Sequence, residues 1–260
     1  MDSNVLKVDN CDTFVKKDYD INDEIDNKIH PLLPKAPFRM LITGTSGAGK
    51  SNLVLCMILK MLVYDKIYVY SKHLEQDKYK FLKQHLENME KAMEDMDGIK
   101  IKILEQWNNT LDNLPNIETY DKEYRHLVII DDFATCSKKD MTQITNYFVR
   151  GRHHNISVIF LTQLYFKCNR DIRLNTSYLC MFNSFNRREI TSLSCELGGD
   201  LPKGMFNKIY NAILSEKYGF MYIDNTTSDL PLRYRKGFDG ICRTLLDVDG
   251  IILDDFKIEK

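Results

Sequence analysis

The chain has 260 residues, 36 Lys and Arg against 37 Asp and Glu, a formal net charge of −1, and 43% hydrophobic and 28% charged positions. That length can bury one α/β domain or two small ones, and the composition excludes a disordered polymer, a collagen and a disulfide miniprotein. The most apolar run, 53–64, is broken by Lys60 and is shorter than the roughly 20 residues of a spanning helix, so no membrane partner is expected.

Residues 1–30 carry eight acids against four lysines and little periodicity, which predicts an acidic N-terminal arm. Asp2, Asp9 and Asp12 stand where a secretory leader would be basic and then apolar, so a soluble chain without a signal peptide is expected. Pro31, Pro34 and Pro37 then open a domain predicted over 31–240. Its first strand is expected at 38–43, followed by a glycine-rich turn at 44–49 and an apolar helix over about 50–63. A short strand at 66–70 leads into a helix through about residue 95, on which Leu74, Phe81, Leu82, His85, Leu86, Met89 and Met93 recur at helical spacing. Residues 99–104 alternate apolar side chains with lysine and predict a half-buried strand, and the loop after it contains Trp107 and Pro115.

Strand 127–130 ends in Asp131 and Asp132, a helix of about ten residues leads to Arg150, Gly151 and Arg152, and strand 156–162 closes at Gln163. A strand at 178–182, helices at 187–197 and 202–215, and a closing pair of strands at 219–223 and 232–235 complete the domain. Residues 241–260 form an acidic tail. Strands alternating with helices at this spacing predict a mainly parallel, doubly wound sheet with a small C-terminal strand extension. The seven cysteines are odd in number, scattered and free of Cys-x-x-Cys pairs, which suits reduced thiols better than disulfides or zinc.

Gly44, Thr45, Ser46, Gly47, Ala48, Gly49, Lys50 and Ser51 fit the phosphate-loop pattern G-x-x-x-x-G-K-[ST], between a predicted strand and a predicted helix that Asn52 continues. Glycines let the backbone curl its N–H groups around phosphate oxygens at a helix N-terminus. Lys50 supplies a mobile charge to the β- and γ-phosphates, and the Ser51 hydroxyl suits Mg²⁺. The pattern implies a nucleoside triphosphate site.

An apolar strand ending in a carboxylate puts that group at the carboxyl edge of the sheet, where open α/β folds bind ligands. Asp131 is therefore the candidate Mg²⁺ ligand beside Ser51, and Asp132 the candidate that orients or deprotonates the attacking water. Gln163 ends its strand in the same way and is the candidate sensor or water-positioning group. Arg152, with Arg150 in reserve, is the candidate for stabilising charge on the transferring phosphoryl group, supplied in trans. Between Arg150 and Arg188 stand seven Lys and Arg against the single acid Asp171, a pointer to phosphate or nucleic acid. Arg170, Arg173, Arg187 and Arg188 are candidate backbone contacts, and Tyr165 and Phe166 candidate stacking groups, with a core role as their alternative.

The phosphate loop, the strand ending in Asp131 and Asp132, and the run from Arg150 through His153, His154 and Asn155 to Thr162 and Gln163 together resemble the genome-packaging ATPases of large DNA viruses and virophages. These are the viral branch of the FtsK/HerA-like P-loop motors and include the poxvirus-type packaging ATPase. The resemblance extends through 69–74 and 171–175 and covers roughly 37–238. It implies an ATPase of the ASCE type, with a five-stranded core and the Gln163 strand between those of the phosphate loop and Asp131. It implies too a pentameric or hexameric ring in which an arginine reaches the neighbour's nucleotide, and double-stranded DNA threaded through that ring into a preformed capsid. A capsid or portal-vertex partner, and residence in the virion or a viral factory in the host cytoplasm, follow from the same resemblance. Many members of the wider superfamily place Glu where this chain has Asp132. From the residues alone, a small-molecule P-loop kinase and a nucleotide-gated assembly protein without productive turnover remain alternatives.

Overall fold

The computed structural model describes residues 30–97, 101–183, 187–199 and 201–241. The acidic arm, except His30, and the acidic tail, except Ile241, lie outside the described residues, as do the side chains of Arg187 and Arg188.

Six strands run parallel: β1 (Arg39–Thr43), β2 (Lys66–Ser71), β3 (Leu104–Asn108), β4 (His126–Asp131), β5 (Ile156–Thr162) and β6 (Tyr178–Phe182). They continue antiparallel into β7 (Phe220–Asp224), β8 (Tyr234–Lys236) and β9 (Gly240–Ile241), giving the order β3-β2-β4-β5-β1-β6-β7-β8-β9. The near-continuous apolar runs of β4 and β5 are what a sheet covered on both faces requires. Alternate residues then feed opposite layers. Leu127, Ile129, Ile159 and Leu161 pack with α1 (Lys50–Cys56) and α2 (Asp77–Asp97). Val128, Ile130, Val158 and Phe160 pack with α3 (Lys138–Arg150), α4 (Arg170–Leu174), α5 (Arg187–Leu197) and α6 (Met205–Ile213). A last turn, α7 (Leu230–Arg233), enters β8.

β5 lies between β1 and β4, with Thr43 opposite Thr162 and Asp131 opposite Leu161. The segment following the phosphate loop differs in detail from a plain helix over 50–63, since α1 widens into a π-helical turn, Met57–Met61. Of the strand expected at 99–104, residues 99 and 100 lie outside the described residues, and the described strand is displaced to Leu104–Asn108. The carboxylate of Glu90 on α2 takes the N–H groups of Ile103 and Leu104 at 2.6 and 2.7 Å, so these donors turn from the sheet while the Ile103 carbonyl accepts from Ile67 N–H at 2.7 Å. Trp107, expected in a loop, therefore lies in β3, edge-on to Tyr79 at 6.1 Å. The strand expected at 232–235 begins at Tyr234, because 230–233 closes as a helical turn. Among the described residues no helix is long and apolar enough to cross a membrane.

Candidate active site

The carboxyl ends of β1, β4 and β5 share one edge of the sheet and carry the phosphate loop, Asp131–Asp132 and Gln163 respectively. Gly44 leaves β1 against the end of β6, where an added Cβ would stand 2.6 Å from that of Phe182, so only glycine fits. Gly47 has φ +75° with open space where a side chain would be, a conformation that glycine adopts without cost. Ser46 and Gly47 are exposed, and Thr45, Ala48, Gly49, Ser51 and Asn52 half-buried. Gly49 offers no side chain to cap α1 and the first turn holds no acid, so neither competes with an incoming anion there.

Lys50 folds back over its loop, donating to the Gly44 and Thr45 carbonyls at 2.7 and 2.9 Å. Burial lowers its proton affinity, while the charges of Asp131 and Asp132 act the other way. Asp131 is 7% exposed. Its Oδ2 accepts from Ser51 Oγ at 3.3 Å and from Tyr79 OH at 2.5 Å. Burial nevertheless raises the carboxyl's pKa above the ordinary value, against the pull of Tyr79, Lys50 and Ser51. A desolvated carboxylate beside a hydroxyl, both hard oxygen donors, is a set that fits Mg²⁺.

Asp132 has φ +63°, which turns it off the line of β4, and its carboxylate is partly exposed. His73, from the segment after β2, donates Nε2–H to Asp132 Oδ2 at 3.1 Å, and Glu75 lies 3.7 Å from His73 Nδ1. Gln163 is exposed immediately beyond β5, between the two neighbouring strand ends.

The arginines are not brought to this edge. Arg150 ends α3 and pairs with Glu118 at 2.9 Å, and Arg152 is exposed with its Nε 3.5 Å from His153 Nε2. Both precede the seven-residue β5, so they stand about 20 Å from its Gln163 end, at 3.3 Å per residue. Neither touches the phosphate loop of its own chain. Of the proposed stacking pair, Tyr165 is buried in the core and Phe166 is exposed.

Sequence reasoning missed the roles of Tyr79 and His73. Neither belongs to a motif that names it. Tyr79 sits outside the apolar spacing that marks α2, and His73 lies in the 69–74 segment, where the resemblance assigns it no role. Only the approach of β2 and α2 to β4 brings them to the two carboxylates.

A strand, a glycine loop and a helix that opens on Lys50 and Ser51, with an acid-tipped strand two places away and a polar-tipped strand inserted between, define a P-loop nucleoside triphosphatase of the ASCE type. Residues 28–213 match the Poxvirus A32 protein family, and the chain belongs to that family. It is 27% identical over 223 residues to the DNA packaging protein OPG160 of vaccinia virus (strain Copenhagen), covering 84% of this chain and 78% of the relative. The monkeypox virus DNA packaging protein OPG160 is likewise 27% identical over 223 residues, of which it is covered to 71%. Among solved structures, the genome packaging NTPase B204 from Sulfolobus turreted icosahedral virus 2, in complex with AMP, superposes with a TM-score of 0.52 at 16% identity. That match spans 78% of this chain and 98% of that one and shows a common fold.

Proposed function

We propose that the chain is an ATP-hydrolysing motor that moves double-stranded DNA into a preformed viral capsid. The observation carrying this reading is the insertion of β5 between β1 and β4, which sets Gln163 between the phosphate loop and the paired acids. The chain's family membership supports the packaging role.

In this account the N–H groups of the phosphate loop receive the ATP phosphates, and Lys50 exchanges its two carbonyl partners for β- and γ-phosphate oxygens. Ser51 and Asp131 would hold Mg²⁺, which would supply charge neutralisation to the phosphates. Asp132, steadied by His73, takes a proton from the water that attacks the γ-phosphorus, and the bond to ADP breaks. Gln163 orients that water or reports the loss of phosphate. Arg152, with Arg150 in reserve, completes the site of the next copy in a pentameric or hexameric ring, a role consistent with their distance from the chain's own loop. Contacts to the DNA are to its backbone and independent of sequence. A capsid or portal-vertex protein is the docking partner, and the virion or viral factory the place of action.

Steady-state ATP hydrolysis with and without long duplex DNA, at two salt concentrations and over a range of protein concentration, tests this function. Stimulation by DNA that weakens with salt, with turnover rising more steeply than protein concentration, is the expected result. Turnover that neither Lys50→Ala nor Asp132→Asn abolishes would overturn the assigned mechanism.

A further inference from the structure

At the edge of the sheet opposite the phosphate loop is a cavity of about 320 Å³, whose lining includes Arg39, Arg173, Arg233, Thr176, Asn225 and Glu196. Arg39 opens β1, Thr176 precedes β6 and Asn225 follows the antiparallel β7, so the cavity lies at the strand ends remote from Gly44. It cannot serve the nucleotide of its own chain.

Its charge is unbalanced. Among its described lining residues, the guanidiniums of Arg39 and Arg173 face the one carboxylate of Glu196, whose Oε1 is already taken by Arg173 Nε at 3.0 Å and Tyr165 OH at 3.1 Å. Arg39 has no ion pair among the described residues. Its Nε and Nη2 share the Ser177 hydroxyl at 3.0 and 2.6 Å. Burial, and then the charge of Arg152 nearby, lower its proton affinity, the mark of a cation held among too few anions. Arg173 is fixed in place: its guanidinium lies 5.3 and 5.0 Å from the ring centres of Tyr165 and Phe166, and its Nη1 donates to the Cys168 carbonyl at 2.9 Å. Held guanidiniums in a recess, in excess of acids, match the forked geometry of phosphate oxygens.

We propose that this cleft is a second phosphate site, in which Arg39 and Arg173 take phosphoryl oxygens supplied from outside the subunit. Two sources offer those oxygens: the backbone of duplex DNA and the nucleotide held by an adjacent copy. The choice of these two sources rests on the motor reading. The presence of an anion site does not.

The test uses the full chain, wild type and Arg39→Gln, which keeps a donor for Ser177, with Arg173→Gln as a second variant on the same cavity. Binding of a labelled duplex is followed against salt. If DNA is the source, each variant flattens the slope of log affinity against log salt by about 0.9, the loss of one phosphate contact. If the neighbour's nucleotide is the source, Arg39→Gln and Lys50→Ala are each inactive alone and recover turnover when mixed, because one copy supplies the nucleotide and the other the arginine. Variants that keep the wild-type slope and the wild-type turnover overturn the second phosphate site. A wild type indifferent to duplex, with mixing still restoring turnover, removes the DNA motor and keeps the cleft.

Discussion

Tyr79→Phe isolates one atom of the active site. The hydroxyl lies 2.5 Å from Asp131 Oδ2 on a side chain 1% exposed, and the ring packs edge-on to Trp107. Phenylalanine keeps that packing and removes only the donor, leaving Ser51, at 3.3 Å, as the hydroxyl facing that oxygen. A hydrogen bond to a charged group contributes about 1.5–3 kcal/mol. At about 2–4 °C per kcal/mol for a domain of this size, the thermal midpoint falls by about 3–12 °C at neutral pH. The hydroxyl serves the ionised carboxylate, so the deficit shrinks as acid protonates Asp131. The same loss loosens the group proposed to hold Mg²⁺, and the magnesium concentration giving half-maximal ATP hydrolysis rises. Calorimetry at two pH values and a magnesium titration read the two effects separately. A variant that melts with the wild type and needs no more magnesium would refute the role given to Tyr79.

Asp132→Asn is expected to lower kcat by about 10²–10⁴ while ATP still binds, as measured by single-turnover hydrolysis beside equilibrium binding of a fluorescent analogue. His73→Ala removes a partly exposed hydrogen bond to that carboxylate and lowers kcat about tenfold with KM unchanged; an equal change in KM would assign His73 to binding. For Asp131, burial raises the folded-state pKa above the unfolded one. Its contribution to stability is therefore most favourable below the unfolded pKa and is lost as pH rises through the folded value. Without metal or nucleotide, Asp131→Asn melts above the wild type at neutral pH, and the gap closes towards about pH 4.

The parts of the fold legible in the sequence were those where one physical demand dominated. β1, β4 and β5 are apolar runs that end abruptly in glycine, acid or glutamine, and the demand to bury both faces of a strand marks them plainly. The phosphate loop was legible because Gly44 and Gly47 meet constraints that other residues meet poorly. β3 was displaced because its boundary is set by the Glu90 carboxylate, on a helix ending before it, and no local pattern records that capture. Tyr79 and His73 escaped for the same reason: their partners lie 52 and 59 residues away, and only the sheet order makes them neighbours. The arginines were visible as charge, but their place at the far edge follows from the direction of β5, and the cavity shared by Arg39 and Arg173 joins segments with no common motif.

The most direct test of the motor is displacement of a labelled third strand from a triplex at one end of a long duplex. The account predicts release by the wild-type chain with ATP and magnesium, and none with Lys50→Ala or with a non-hydrolysable ATP analogue. Sustained ATP hydrolysis on that duplex with the third strand left in place would contradict it.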